Sequence, residues 1–365
     1  MILSIQEQDW PGVAGRIGQA IDLETSARAF GVLERKRKIR SGSDLLRLAL
    51  AYGPGGQSLR QTAAWAELQQ VAWLSDVALM YRIRDAADWL GAITGRMLSG
   101  REEPAPAPAS ASALGLRLRV IDGSVISAPG KGPRFRLHAV YDLAQERFSG
   151  LELTGARKAE ALERSAIGPG ELVMGDRVYA RPGGLHHVAE AGGEYLVRVG
   201  SRSLTLALAD GRPFDLAQVL DRSDQDGVCD LEILVLDGRD HERKPLAARL
   251  VVLKKPPEAA SKARKHSLRQ SQRGGHANDP LSLRAAEHLM LVTSLGPERA
   301  SPDQLAGLYR LRWRIELAFK RLKSLLHLDR LPAKDKNLAR AWIFAHLIVA
   351  LLVEDLSPEF RDSPP

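Results

Sequence analysis

The segment QLAGLYRLRWRIELAFKRLKSLL, residues 304–326, carries the strongest pattern in the chain. Because it has no Gly or Pro after Gly307 and its apolar residues recur at intervals of three and four, it predicts one amphipathic helix. At about 100° per residue, one broad apolar arc holds Leu308, Leu311, Ile315, Ala318, Phe319, Leu322, Leu325 and Leu326. A second arc, roughly 60° wide and beside the first, holds Tyr309, Arg312, Glu316 and Lys323.

Glu316 is the single acid of this segment, among six Lys and Arg residues. One interpretation is an ordinary ion pair on a basic helix, which is the usual state of such a residue. The spacing favours another, because Tyr309-x-x-Arg312-x-x-x-Glu316-x-x-x-x-x-x-Lys323 resembles the signature of a large group of bacterial insertion-sequence transposases. This resemblance implies a DDE enzyme, in which an RNase H-like core carries three acidic metal ligands. It also implies two aspartates upstream, each at the end of a strand.

The composition agrees with a nucleic-acid partner. The 365 residues carry a net charge of +8 and the isoelectric point is near 9.7, which favours a polyanionic ligand. The single cysteine, Cys229, excludes an internal disulfide and a cysteine-based zinc site. The opening MILSIQEQDWPG does not follow the pattern of a signal peptide. The most apolar segment, residues 341–353, is too short to span a bilayer and predicts a buried helix.

Residues 1–100 predict a helical domain. A basic run occupies residues 34–40, and Ser58 is a plausible N-cap for the helix that follows it. A turn at residues 71–75 between two helices favours a helix-turn-helix with Arg82 and Arg84 facing DNA, although a plain helical bundle explains the same pattern. The resemblance favours DNA, since such transposases usually carry a helical N-terminal domain that binds the terminal inverted repeats. Residues 101–113, rich in Pro, Ala and Ser, predict a semi-rigid linker.

Residues 114–200 predict the first part of the core. In LGLRLRVIDGS the apolar residues alternate, and Asp122 continues their parity at the predicted end of the strand. A buried carboxylate needs cations or a metal beside it, while an aspartate that only caps the turn at Gly123 is the simpler alternative. The strand ELVMGD ends at a second acid, Asp176. Further elements are predicted as strands at 134–142, 148–154 and 195–199, with helices at 158–167 and from Pro182. This order matches an RNase H-like core.

The remaining segments complete a mixed α/β architecture in which a β-rich insertion interrupts the core. Residues 201–287 hold predicted strands at 203–209, 230–237 and 248–253, followed by a basic segment at 254–284. That segment is either a flexible solvated loop or a clamp on the phosphate backbone. Residues 288–356 supply the last core strand and the signature helix, and residues 357–365 form a tail.

The resemblance also implies a chemistry. Asp122 would bridge two Mg²⁺ ions, while Asp176 and Glu316 would each hold one, and Mn²⁺ could substitute. Arg312 and Lys323 would hold phosphates near the cut. The full set of residues predicted to contact DNA is Tyr309, Arg312, Lys323, Lys320, Arg177, Arg82 and Arg84.

The implied partner is double-stranded DNA, both the terminal inverted repeats and the target, bound by a homodimer. The implied location is the bacterial cytoplasm at the nucleoid, without a membrane. A catalytically inactive, transposase-derived protein that binds DNA ends is the alternative, and a hairpin pathway stays open. His186, His187, His266 and His276 lack acidic or cysteine companions at zinc spacing, so they are interpreted as surface or core histidines.

Overall fold

The computed structural model describes residues 10–34, 38–101, 114–238, 240, 242–275, 279–325, 328 and 331–361. Residues 35–37 of the basic run and all of the predicted linker except Arg101 lie outside the described residues, as do His276 and Leu326.

The region before the predicted linker is helical, as the sequence predicts. Its helices are α1 (Trp10–Ala20), α2 (Leu23–Ala29), α3 (Gly42–Tyr52), α4 (Leu59–Leu68), α5 (Asp76–Asp85) and α6 (Ala87–Ser99). Ser58 caps α4 with a reciprocal pair of bonds: its hydroxyl accepts from the Gln61 backbone N–H, and the Gln61 side chain accepts from the Ser58 N–H. The predicted cap is therefore confirmed. Ser75 caps α5 in the same region by accepting from Ala78 N–H.

A single mixed sheet forms the centre of the molecule. Its strands are β1 (Arg117–Ser127), β2 (Arg134–Asp142), β3 (Arg147–Gly155), β4 (Glu171–Gly175), β5 (Glu194–Arg198), β6 (Thr205–Leu208), β7 (Val228–Leu236), β8 (Leu246–Lys254) and β9 (His288–Thr293). The strand order is β3-β2-β1-β4-β5-β9-β8-β7-β6. Strands β1, β4 and β5 are parallel, while β2 is antiparallel to β1 and β3. This topology is the RNase H-like core, so the predicted fold class is confirmed.

The β-rich insertion extends the core sheet and does not form a layer of its own. Strand β9 pairs with β5 on one side and with β8 on the other, both antiparallel. The sequence reveals the strands of the insertion but not their partners, because pairing between distant segments leaves no local pattern.

The remaining helices are α7 (Pro182–Glu190), α8 (Leu216–Asp226), α9 (Pro257–Arg273), α10 (Pro280–Ala286), α11 (Pro302–Arg310), α12 (Trp313–Leu325) and α13 (Lys336–Arg361). Of the two alternatives for residues 254–284, the flexible loop does not hold, because most of the segment is helical, while the clamp stays a prediction. The cationic residues of this segment lie largely on α9, which has no buried residue and hence no apolar stripe that would have indicated a helix.

The helix predicted at residues 158–167 is also wrong, since only a short 3₁₀ turn, Leu162–Arg164, forms there. Two guanidinium groups bind the carbonyl oxygens that a helix would use. Arg164 donates to the carbonyl of Ala159 at 2.9 Å, and Arg119 donates to that of Ala166 at 2.8 Å. The contact from Arg119 on β1 and the one from Arg164 within the segment together override the local helix propensity.

The signature segment is two helices, so the prediction of one helix is wrong. Between α11 and α12 the backbone tightens to bonds over three residues, from Arg312 N–H to the Tyr309 carbonyl and from Ile315 N–H to the Arg312 carbonyl. Because both halves are good helix formers with matching periodicity, the sequence does not indicate the joint. Arg312 lies at this joint.

Helix α13 crosses the core. By length and hydropathy, residues Lys336–Leu356 could span a membrane, but 72% of the apolar window is buried inside the protein. The predicted buried helix is thus confirmed, and it is longer than the sequence indicated. At its end Arg101, which is 2% exposed, donates to the carboxylates of Glu354 and Asp355, both at 2.6 Å.

Candidate functional site

The pairing of β1 with β4 places two aspartates side by side. The parallel register ends at Val120 opposite Met174, and two residues further each chain carries an aspartate, Asp122 and Asp176. By parity Asp122 belongs to the face of Leu118 and Val120. The predicted strand end at Asp122 is wrong, because β1 continues to Ser127 in its pairing with β2. It is the neighbour β4 that ends here, which opens the edge of the sheet beside Asp122.

Helix α12 covers the same face and brings in Glu316. A cleft of about 420 Å³ is lined by Asp122, Gly123, Ser124, Glu316, Phe319, Lys320 and Lys323. Four of the predicted site residues therefore share one cleft: Asp122, Glu316, Lys320 and Lys323. Asp176 does not line this cleft, but its charge acts on Asp122.

Asp122 is half-buried, and its protonation is perturbed. Burial, and to a smaller degree the like charges of Asp176 and Glu160, raise the pKa of this carboxyl to about 6. The Gly123 N–H, which donates to Asp122 at 2.8 Å, and the Arg312 guanidinium both lower that pKa. Burial and neighbouring acids make the charged form of this carboxylate unfavourable, so a cation that binds beside it stabilises that form.

Arg312 occupies the centre of the site. Its guanidinium is paired with Glu316, one helical turn further on, and its Nη1 lies 4.0 Å from Asp122 Oδ2. The same group lies over the ring of Tyr309, 5.9 Å from the centroid, and Tyr309 itself is buried. Arg312 thus links the two acids and is held from behind by the tyrosine.

Asp122, Asp176 and Glu316 do not lie close enough together here to form a complete metal-binding site. Within the described residues no three His, Cys, Asp or Glu side chains lie close enough together to hold a metal ion. The Glu316 side chain is 55% exposed and paired with Arg312, so it is free to turn towards Asp122 once the guanidinium moves. The donors are carboxylate oxygens, the ligands that hard divalent cations prefer.

A fourth acid, Glu160, lies under Gly123 and was not predicted. A Cβ atom at Gly123 would lie 2.4 Å from Glu160 Oε1, so any other residue here requires the Glu160 side chain to move. Glu160 is paired with Arg136 at 3.1 Å. Burial first, then Glu160, Asp122 and Asp176, raise the pKa of the buried Tyr179 hydroxyl. In the sequence, the feature related to Glu160 is Gly123, directly after Asp122, because a glycine there leaves space for the Glu160 side chain.

The other predicted DNA contacts are divided between two places. Arg177 directly follows Asp176 and is exposed at the edge of the sheet. Arg82 and Arg84 lie on α5 in the helical region and do not line the cleft. Arg82 is exposed, while Arg84 stacks on Tyr81 with 4.7 Å to the ring centroid and pairs with Asp85 at 2.9 Å. The segment between α4 and α5 spans residues 69–75, which is longer than the predicted turn.

Comparison with known proteins identifies the family of the chain. The sequence matches the Transposase DDE domain family over residues 114–352. It is 43% identical over 370 residues to the transposase InsL for insertion sequence element IS186A of Escherichia coli (strain K12), which covers 100% of this chain and 98% of InsL. It is also 43% identical over 371 residues to the transposase for insertion sequence element IS421 of Escherichia coli, with 100% of this chain and 98% of that protein covered.

Among solved structures, the cryo-EM structure of the piggyBac transposase synaptic complex with hairpin DNA aligns with a TM-score of 0.44 and 9% identity, covering 92% of this chain and 72% of that one. The family match and the two full-length relatives settle the family: the chain belongs to the DDE transposases of bacterial insertion sequences.

Proposed function

We propose that this transposase cleaves DNA at the ends of its insertion sequence and joins the freed 3′ ends to a target, in metal-dependent reactions. The observation that carries the proposal is the edge of the sheet where β1 and β4 end their pairing. Asp122 lies there on β1 and Asp176 directly follows the neighbouring parallel strand β4, while α12 brings Glu316 with two lysines to the cleft that Asp122 lines. Metal-dependent phosphodiester cleavage needs acidic ligands for the metal ions and, beside them, positive groups that hold the phosphates. The site offers both.

Asp122, Asp176 and Glu316 are the proposed ligands of two Mg²⁺ ions, or of Mn²⁺ in their place. When bound, such ions activate the attacking group and stabilise the negative charge on the leaving oxygen. The half-buried Asp122, whose pKa is raised by burial and by neighbouring acids, favours a cation at this position. Arg312 has to leave Glu316 for that carboxylate to join the other two acids.

The cations around the acids are proposed to hold the DNA backbone. Lys320 and Lys323 line the cleft, so a phosphate that enters it meets both ammonium groups. Arg312, released from the acids, presents a planar guanidinium that can bind a phosphate with two hydrogen bonds. Tyr309 supports that guanidinium from its buried position at the end of α11. Arg177, exposed beside Asp176, extends the basic edge away from α12.

The helical region is proposed to bind the terminal inverted repeats through α5. Its solvent face carries the exposed side chains Val77, Tyr81 and Arg82, and Arg84 is stacked beside them. The opposite face of α5, with Leu79 and Ile83, is buried, so the helix presents one fixed surface. A basic, partly apolar helix surface suits the major groove, where both charges and thymine methyl groups are met.

Helix α9 is proposed as a clamp on the phosphate backbone. Seventeen residues long, it has no buried residue and one acid in its first turn, and its cations are Lys262, Arg264, Lys265, Arg269 and Arg273. Such a helix, solvated on all sides, suits a polyanion better than a folded protein surface. The boundaries at residues 100, 113, 200 and 287 divide these proposed roles along the chain. We further propose a homodimer on DNA, in the cytoplasm at the nucleoid.

The test is a cleavage assay on duplexes that contain the DNA flanking its own gene. We expect nicks at fixed positions with Mg²⁺, none with EDTA, and none with an Asp122→Asn variant in Mg²⁺. Purification of the variant beside the wild type excludes a contaminating nuclease. Binding to these ends without cleavage by the wild type under any divalent cation would refute the catalytic proposal and leave a protein that only binds DNA ends.

A further inference from the structure

The basic edge of the sheet continues past Asp176 into the insertion. Strands β5 and β8 are both antiparallel to β9, so they point the same way, and their ends lie at the edge that carries the acids. Arg198 is the last residue of β5, and Lys255 directly follows β8. Each lies within electrostatic reach of the other and of Arg177, which follows β4. Three cations from three strands therefore meet beside Asp176.

These cations have no carboxylate of their own. Arg198 is half-buried, and in the part of the chain that the structure describes it forms no ion pair with an acid. The Lys255 ammonium donates to the carbonyl of Ala286 at 2.5 Å. The acid that acts on Lys255 is Glu287, which is already paired with Arg264 at 2.9 Å. Asp176 acts on Arg198 without forming an ion pair, and Glu287 is shared with Arg264, so the positive charge of the group is only partly balanced.

The other buried arginines of the described fold are treated differently. Arg101 pairs with Glu354 and Asp355, Arg119 with Glu171, and Arg249 with Asp230 at 2.6 Å. Burial of a cation without such a partner is unfavourable, and like charges nearby increase the cost. Accordingly, burial first and then neighbouring cations lower the pKa of Lys255 to about 8. An anionic ligand would remove both costs.

We propose that Arg198 and Lys255, with Arg177 at the rim, form a subsite for a backbone phosphate of the bound DNA. The subsite lies on the Asp176 side of the acids, whereas Lys320 and Lys323 lie on the Glu316 side. A DNA strand held at both places crosses the three acids between them. The insertion then supplies part of the substrate site through Lys255. This inference rests on the proposed function.

Two single variants and a matched control test it. Arg198→Gln and Lys255→Gln remove a charge and keep a hydrogen-bond donor, so the bond to Ala286 can still form. Lys244→Gln removes one exposed lysine from the opposite edge, between β7 and β8. With EDTA present and a duplex of the flanking DNA as probe, each subsite variant should lower the slope of log affinity against log salt by about 0.9, and Lys244→Gln should not.

A second arm needs neither DNA nor catalysis. Pyrophosphate with EDTA should raise the melting temperature of the wild type and of Lys244→Gln, and this rise should be clearly smaller in both subsite variants, in which Lys320 and Lys323 remain. Without ligand, the subsite variants should melt at or above the wild-type temperature, because a structural role would instead lower it. Unchanged salt slopes together with an unchanged pyrophosphate effect would overturn the proposal.

The two arms also separate this inference from the proposed function. If the variants show a clearly smaller pyrophosphate effect but keep the wild-type salt slope, the pair binds anions and the assignment to DNA is wrong. If the wild type neither cuts nor binds the flanking DNA, the proposed function fails. The pyrophosphate arm then still decides whether Arg198 and Lys255 hold a phosphate group.

Discussion

Arg312 Nη1 lies 4.0 Å from Asp122 Oδ2, while the same guanidinium is paired with Glu316. One cation therefore balances two of the three acids that we propose as metal ligands. A divalent ion bound by both carboxylates would compete with this guanidinium for their negative charge. Displaced towards solvent, Arg312 reaches the space where DNA phosphates would lie. The residue is placed to couple metal binding to DNA binding.

Neutralising any one proposed ligand should stop cleavage and spare binding. Asp122→Asn, Asp176→Asn and Glu316→Gln each remove a carboxylate charge and leave the basic surface intact. We expect nicking in Mg²⁺ to fall below detection, with affinity for a terminal duplex within about threefold of wild type. Near-normal nicking by any of the three would show that its residue is not a ligand.

Lys323 and Arg312 should behave differently from Glu316 although all three lie in one arc. A phosphate contact acts through charge, so Lys323→Ala should keep cleavage at low salt and lose it steeply as salt rises. Arg312→Ala should lose more, because a guanidinium binds phosphate with two hydrogen bonds. Cleavage is titrated against salt beside Glu316→Gln. A Lys323→Ala protein that is inactive at every salt concentration, yet binds with the wild-type slope, would place Lys323 in the chemical step.

The helical region should determine sequence preference through α5. Arg82→Ala should weaken binding to the terminal repeat by about tenfold, the usual cost of one base contact, and leave binding to a scrambled duplex nearly unchanged. Arg96→Ala, an equally exposed change on α6, serves as the control. Competition gel shifts measure both affinities. Equal losses on both duplexes would favour a phosphate contact, and no loss on either would favour a plain helical bundle.

Gly123 should tolerate no side chain while Glu160 is present. Because a Cβ there would lie 2.4 Å from Glu160 Oε1, and Arg136 holds that carboxylate, Gly123→Ala should lower the free energy of unfolding by about 1–3 kcal/mol. Glu160→Ala in the same chain should recover most of this loss, which a double-mutant cycle by urea unfolding measures. Additive losses would mean that the two positions do not touch.

The buried network at Arg101 should make stability depend on pH. Burial raises the pKa of Glu354 to about 7, so the stability this group contributes is present at low pH and is lost as pH rises through 7. Arg101 lowers this pKa, and Arg101→Met should therefore cost about 3–5 kcal/mol at pH 8, where the variant has to bury an unpaired carboxylate or protonate it. At pH 5 the cost should be clearly smaller, because the protonated acid needs no counter-charge.

Urea unfolding at both pH values, with Arg96→Met as control, measures this difference. Equal costs at pH 5 and pH 8 would mean that Glu354 does not titrate in the folded protein.

The sequence predicted those features that a short window contains. The parity of Asp122 with Leu118 and Val120, the cap at Ser58 and the apolar arc of Ile315 and Phe319 all depend on residues a few positions apart. The joint at Arg312 was missed because it interrupts the backbone without interrupting the periodicity. The predicted helix 158–167 does not form, because side-chain contacts from Arg119 and Arg164 bind the backbone of this segment in another conformation.

The three proposed ligands could be named from the sequence, whereas the residues around them could not. Glu160 reaches Asp122 across β1, and Arg198 meets Lys255 only because β9 holds β5 and β8 in one sheet. Such neighbours depend on strand order, which no local pattern encodes. The family resemblance suggested the three acids and their proposed roles, whereas the Arg198–Lys255 pair required the fold.

The position of β9 between β5 and β8 limits which deletions the chain can accept during evolution. Strand β5 finds its second partner only after the whole insertion has been made, so the sheet has a high contact order and its last core pairing closes late in folding. Deleting the insertion together with β9 would leave β5 as an open edge of apolar strand, which is a template for aggregation. The outer strand on the insertion side of the sheet is β6, which is four residues long, and short edge strands resist such pairing. We therefore expect deletions in the evolution of this protein to shorten the loops and α9 and to leave every strand from β5 to β9 intact.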